Sequence, residues 1–423
     1  MIQIINFPSK VDYPKLCERP QIESSLIGNL IESIFEKVKA DQDEALINLT
    51  YEFEKRKIDT IFYTEKEIDA YSEATDENLK KAIQISFNNI WKFHEAQQLI
   101  ENRIETSPGV VCWQKSSPIE KVGIYIPGGT APLFSTILML AVPAKIAGCS
   151  EIVLCTPGIH PAIFYTAKLC GITKMCKIGG AQAIAAMALG TPSIPQVYKI
   201  FGPGNQYVTA AKMHANSLGV AIDMPAGPSE VAIYADETSN ARFVASDLLS
   251  QAEHGVDSQV FLVSTFEPFI HETIHELESQ LKDLPRKELA QAALLNSKFI
   301  LVKSCEDAID LLNEYAAEHL ILACDHAEKM SEKIINAGSI FLGHYTPESA
   351  GDYSSGTNHT LPTNGHARAY SGVNLDSFCK KITLQSINKS GLKELSKSII
   401  PMAEAESLQA HANAVKVRLT HGL

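Results

Sequence analysis

The runs GIYI (123–126), EIVLC (151–155), MCKI (175–178) and QVYKIF (196–201) are short and apolar, and Gly, Pro and helix-like segments separate them. Strand-length apolar runs alternating with helical stretches indicate βαβ units around a mostly parallel sheet. Further runs at VAIY (231–234), QVFLV (259–263), FILV (299–302), HLILA (319–323) and SIFL (339–342) predict a second α/β unit. Upstream, the first hundred residues read as helical. Leu26, Ile27, Leu30, Ile31, Ile34, Phe35 and Val38 recur at helix spacing, and Leu79, Ile83, Phe87, Ile90 and His94 form a second stripe. From about residue 374 the pattern reads as helical again, over 375–387 and, richer in Ala, Glu and Leu, over 399–418. No internal repeat or low-complexity tract interrupts the chain.

With 423 residues, 45% hydrophobic and 20% charged, the chain can bury a real core, and length alone suggests about three globular units. Asp and Glu outnumber Lys and Arg by 49 to 37, a net charge of −12, which argues against a nucleic-acid partner. The longest apolar stretch, 131–148, is interrupted by Pro132, Ser135, Thr136, Pro143 and Lys145 and makes a poor membrane span. Residues 1–15 lack the pattern of a secretory signal. Nine Cys residues without a Cys-x-x-Cys pair form neither a disulfide framework nor a zinc knuckle, so a cytoplasmic protein is expected.

Three Gly-rich turns follow predicted strands: PGG after Tyr125, GGAQ (179–182) and GPGN (202–205). Glycine there lets backbone N–H groups approach a phosphate or cofactor, and α/β sheets bind ligands beyond their strands' carboxyl ends. Neither Gly-x-Gly-x-x-Gly nor a Walker A loop occurs, and each turn can equally be read as plain loop. DMPAGPSE (223–230) is a rigid connector or a substrate loop offering Ser229. Gln251 and His254, three apart at the end of a predicted helix, share one face. Two such groups do not by themselves make a metal site, and a His near a helix C-terminus has an ordinary dipole explanation. Glu318 and His319 set an acid beside a base at the start of a strand, or are a surface pair. GDYSSGTNH (351–359) is a polar, turn-rich segment in which Asp352 offers a hard oxygen and His359 an imidazole. Glu406 and His411 stand on the C-terminal helical segment about a turn and a half apart.

Taken together, YIPGG (125–129), GGAQA (179–183), FGPGN (201–205), DMPAGPSE (223–230), SQAEHG (250–255), EHL (318–320), GDYSSGTNHTLPT (351–363) and AEAESLQAH (403–411) resemble the histidinol dehydrogenase family, in the family's order and over nearly the whole chain. The resemblance implies a zinc- and NAD-dependent oxidation of L-histidinol through L-histidinal to L-histidine, the last steps of histidine biosynthesis. It places the zinc ligands on Gln251, His254, Asp352 and His411, and the bases on Glu318 and His319. Ser229, His359 and Glu406 match the remaining substrate contacts, while Tyr125, Gln182 and Asn205 match the NAD contacts. One departure is Ala317, where many members carry Pro before the Glu-His pair.

The resemblance also implies a homodimer with shared sites and two incomplete Rossmann-like α/β domains. The expected division is an N-terminal arm (1–20), a first α/β domain (21–124 and 230–373) carrying most catalytic and zinc residues, an NAD-binding α/β domain (125–229) and a C-terminal dimerisation segment (374–423). The competing readings are a paralogous zinc- and NAD-dependent dehydrogenase of another small polyol, and a zinc hydrolase. The hydrolase lacks a His-Glu-x-x-His helix. A thiol that traps the aldehyde is a further alternative, against which Cys112, Cys149 and Cys155 in or beside apolar runs read as structural.

Overall fold

A strand whose residues are apolar at every position has no face for water, so it is stable only inside a sheet covered on both sides. The computed structural model, described for residues 2–19, 25–129, 131–225 and 227–420, uses the apolar runs in this way. Among the described residues the strands are β1 (Gln3–Asn6), β2 (Ile104–Ser107), β3 (Val110–Pro118), β4 (Lys121–Tyr125), β5 (Glu151–Cys155), β6 (Lys174–Cys176), β7 (Lys199–Phe201), β8 (Ala221–Ile222), β9 (Glu230–Ala235), β10 (Gln259–Ser264), β11 (Lys298–Leu301), β12 (His319–Ala323), β13 (Ser339–Leu342) and β14 (Cys379–Ile387).

The chain divides into two compact units, Met1–Ala96 with Ile119–Phe378, and Gln97–Pro118 with Cys379–Leu423. The larger unit holds two parallel sheets. One runs β6-β5-β4-β7-β8 and the other β1-β11-β10-β9-β12-β13. In each, the chain moves outward from a central strand (β4 or β9), then crosses back to that strand's other side (β7 or β12). Side chains alternate between the faces, as strand geometry requires. Val231, Ile233, Val260 and Leu262 join one apolar cluster, whereas Ala232, Tyr234, Phe261 and Val263 join the one opposite. The N-terminal helices cover the smaller sheet: Ile31, Ile34, Phe35 and Val38 pack with Val153 and Ile184 on one face, and Ile83 and Ile90 with Val122 and Leu138 on the other.

The smaller unit contains the antiparallel sheet β14-β3-β2 and the helices Lys389–Ala405 and Gln409–Thr420. Here the sequence expectation needs correction. Residues 375–387 are a short 3-10 turn (Leu375–Phe378) followed by β14, not a helix. The CKKITLQSI strand is polar and largely exposed, and pairing along its whole length with β3 sustains it in place of an apolar face. The N-terminal hundred residues are likewise not all helical, because Gln3–Asn6 adds an edge strand beside β11. Residues 1 and 20–24 lie outside the described residues, and with them the expected boundary at residue 20.

A buried ion pair ties the GPGN turn to the DMPAGPSE segment. Lys212, on the helix Gln206–Ser217, binds the Asp223 carboxylate and donates to the Gly202 carbonyl at 2.9 Å. Asp223 in turn accepts from the N–H groups of Gly202 (2.9 Å) and Met224 (2.8 Å). Gly202 is at φ +131, where a Cβ would lie 2.1 Å from the Tyr125 carbonyl oxygen, so this close approach requires glycine. Lys212→Met is expected to lower unfolding stability by about 3–5 kcal/mol, because it leaves Asp223 buried without its ion-pair partner. Adding Asp223→Asn should recover much of the loss; denaturant melts of the three proteins check both expectations.

Candidate active site

The two sheets of the larger unit meet the same cavity with opposite ends. From the five-stranded sheet come segments that follow strands: Ser135 and Thr136 after β4, Gly202 to Gln206 after β7, and Asp223 and Met224 after β8. From the six-stranded sheet come segments that precede or open strands: Ser229 before β9, Gln251 and His254 before β10, and Glu318 and His319 at β12. The cavity measures about 570 Å³, and Asp352 and His359 also line it. The carboxyl-end rule for ligand binding thus describes one sheet, whereas the acid and base stand at the amino end of the other.

His319 sits at the centre of the polar cluster and is almost fully buried. Its Nδ1 lies 3.7 Å from both Glu318 Oε2 and Glu348 Oε1, and its Nε2 lies 3.5 Å from Asp352 Oδ1. Neither ring nitrogen has a hydrogen-bond partner among the described residues. Burial opposes charge on this imidazole, but the carboxylates of Glu348, Glu318 and Asp352 outweigh it and push the pKa up to about 10. Burial raises Glu318 to about 7, against the pull of His319. Asp352 stays below its ordinary value: burial works against its charge, and His319 overcomes that.

The Gln251 amide is oriented by two neighbours, its nitrogen donating to Glu348 Oε1 and its oxygen accepting from the Glu230 N–H at 3.2 Å. The same N–H donates to Glu318 Oε2 at 3.0 Å. His359 is fixed at both ends: Nδ1 is 2.8 Å from the Asp352 carbonyl and Nε2 is 3.0 Å from Thr136 Oγ1. A carbonyl only accepts, so Nδ1 carries the proton and Nε2 accepts from the threonine hydroxyl. Desolvation holds both His254 and His359 below the usual imidazole value. One atom each of His254, Glu348 and Asp352 falls within 4.8 Å of the others, spacing that could hold a metal ion.

A family model described as histidinol dehydrogenase matches residues 17–419. The chain belongs to the histidinol dehydrogenase family. The histidinol dehydrogenase of Bacteroides thetaiotaomicron is 54% identical over 424 residues, covering 99% of each chain. That of Campylobacter jejuni is 50% identical over 406 residues, 95% of each. The crystal structure of histidinol dehydrogenase from Elizabethkingia anophelis matches with a TM-score of 0.98 at 52% identity, covering 99% of this chain and 98% of that one. The chain is therefore an oxidoreductase of the histidinol dehydrogenase class.

Of the residues matched to the histidinol dehydrogenase pattern, Ser229, Gln251, His254, Glu318, His319, Asp352 and His359 line one cavity, and Asn205 lines it too. Asn205 also caps the helix Gln206–Ser217, accepting from Tyr207 N and Val208 N. Tyr125 and Gln182 are buried and not among the lining residues. The Tyr125 hydroxyl accepts from Gly180 N at 3.0 Å, and Gln182 donates to Glu54 Oε1 at 3.4 Å. Glu406 and His411 belong to the smaller unit, where both are exposed; Glu406 ends the helix Lys389–Ala405 and His411 opens the next. They thus stand on two helices, not on one.

Sequence reasoning missed Glu348, Thr136, Glu230 and Arg19. For Glu348 a signal existed: it stands four residues before Asp352, a spacing that puts both carboxylates on one helix face. For the others none existed, since their partners are distant in the chain.

The folded value of His319 lies above its unfolded value near 6.5. Its contribution to stability is therefore full below about pH 6.5 and is lost as pH rises to about 10. In protein treated with a chelator, the stability difference from a His319→Asn variant should shrink steadily across that window. Denaturant melts at several pH values read it, and a difference independent of pH would contradict this charge balance.

Proposed function

We propose that this chain oxidises L-histidinol to L-histidine by way of L-histidinal, with NAD as acceptor and one zinc ion in each site. The observation that carries the proposal is the convergence of Glu318, His319, Gln251, His254 and Asp352 on one cavity. A carboxamide, an imidazole and a carboxylate suit a zinc ion that keeps positions open for substrate. The buried, unpartnered nitrogens of His319 beside Asp352 fit a site prepared for further charge. By the family resemblance Gln251, His254, Asp352 and His411 would hold the metal, whose chemistry there is to orient the substrate rather than activate water.

The residues then divide the work. In the present charge balance His319 holds a proton; with Asp352 engaged by a cation, the negative field on the imidazole falls and the ring returns toward the range of a base. His319 takes the alcohol proton as hydride leaves for NAD. Glu318, raised by burial to about 7, is matched to drawing a proton from the water that attacks the aldehyde. A second hydride transfer completes the acid, so one histidinol, one water and two NAD+ give histidine and two NADH, and the protons taken up by His319 and Glu318 pass to solvent. Ser229 and His359 hold the substrate from the cavity wall. Tyr125, Gln182 and Asn205 serve NAD, Tyr125 by accepting from Gly180 N and Gln182 by donating to Glu54, whose Oε1 also accepts from Gly179 N. Glu406 and His411 are supplied by the partner of a homodimer.

Purified protein given L-histidinol and NAD should form two NADH per histidine, and chelation should abolish this until zinc is restored. His319→Asn should lower the rate by about 10²–10⁴. Mixed dimers of His319→Asn and His411→Ala chains should regain activity; none at all would exclude sharing between subunits. Absence of NADH, or activity indifferent to the chelator, would sink the whole reading.

A further inference from the structure

Glu230 and Glu318 are neighbours at the point where two strands begin. The β9–β12 ladder opens with the pair Val231 and His319, so the residues just before them lie outside its register. Among the described residues the hydrogen bond that holds the Glu318 carboxylate there comes from the backbone, Glu230 N–H to Glu318 Oε2 at 3.0 Å, a donor that the Gln251 oxygen also approaches, at 3.2 Å. The position of that donor is set from behind. Arg19 grips the Glu230 carboxylate with two parallel bonds, Nε to Oε2 at 2.8 Å and Nη2 to Oε1 at 3.0 Å. Both side chains are buried, at 10% and 2% exposure, so solvent screens this pair little. The same guanidinium donates to the Tyr315 carbonyl and stacks 4.0 Å over the Tyr315 ring.

Tyr315 ends the helix that leads into Glu318. Its hydroxyl donates to Gln259 Oε1 at 2.8 Å, and Gln259 N donates to the Ser229 carbonyl at 3.3 Å. One planar group therefore holds the entries to β9 and β12 together. A lysine ammonium could keep the charge but not the fork, since it has no pair of coplanar donors.

We infer that Arg19, from the N-terminal segment, is a positioning residue for Glu318, acting through the carboxylate and backbone N–H of Glu230 and through Tyr315. The inference rests on the reading of Glu318 as the base that activates water in the aldehyde step. It assigns Arg19 to that step and not to the first hydride transfer, which depends on His319.

The test compares the rates of L-histidinol oxidation to the aldehyde and of L-histidinal oxidation to the acid in the full-length enzyme. Arg19→Lys should slow aldehyde oxidation at least about 10-fold, the scale on which small misplacements of a reacting group act, while changing alcohol oxidation less than about 2-fold. The double variant Arg19→Lys, Glu318→Gln should be no slower in the aldehyde step than Glu318→Gln alone, because the two residues act as one unit. Equal slowing of both steps, additive losses in the double variant, or a lowered melting temperature with unchanged rates would overturn the inference. If Glu318→Gln slows the aldehyde step and Arg19→Lys does not, the inference alone falls. If Glu318→Gln spares that step, the reading beneath it falls as well. Should Arg19→Lys not fold, Glu230→Gln carries the same comparison, since it weakens the grip of Arg19 while keeping the Glu230 N–H.

Discussion

Burying three carboxylates beside one imidazole is the constraint around which this molecule is arranged. Glu318, Glu348 and Asp352 each approach His319 to within 3.5–3.7 Å, in a region from which water is largely excluded. Ions so placed lose hydration worth several kcal/mol each, and only close opposite charge and hydrogen bonds compensate. The surroundings supply these: the Glu230 N–H on Glu318, the Gln251 amide on Glu348, and the imidazole itself. The arrangement stays incomplete, because one imidazole faces three acids and, among the described residues, its ring nitrogens have no hydrogen-bond partner. An incomplete balance of this kind is suited to a site that takes up a further charge during its work.

The architecture explains how such a cluster can be held. Two parallel sheets that share one order over five strands, the larger with β1 added at its edge, present opposite ends to one cavity. Turns at the carboxyl ends offer backbone N–H groups, Gly-rich and closely packed, while the first residues of β9 and β12 project side chains from a fixed register. The buried pair Lys212 and Asp223 stiffens the first set, and Arg19 with Glu230 stiffens the second. Acid, base and candidate metal donors thus hang from rigid elements, which is what precise chemistry requires.

Much of this was legible in the chain. EIVLC, HLILA and SIFL became strands at the residues read from sequence, since buried parallel strands are continuous apolar runs and stand out. CKKITLQSI did not, because an exposed antiparallel strand takes its stability from its neighbour and carries no apolar signature. The motifs around Ser229, Gln251, Glu318 and Asp352 marked positions that the fold gathers into one cavity. Glu348 left a faint trace in its spacing from Asp352; Arg19 left none, since its partner Glu230 lies 211 residues away.

By itself the sequence determined the buried parallel strands, the family and the residues able to donate, accept or ligate, because these follow from local pattern and side-chain chemistry. Only the tertiary structure decided which acids face His319, that Thr136 holds His359, and that Arg19 grips the Glu230 carboxylate while the Glu230 N–H binds Glu318. The physical reason is that charge interactions and desolvation depend on distance through space and on the surrounding dielectric. Those quantities exist only once the chain has folded.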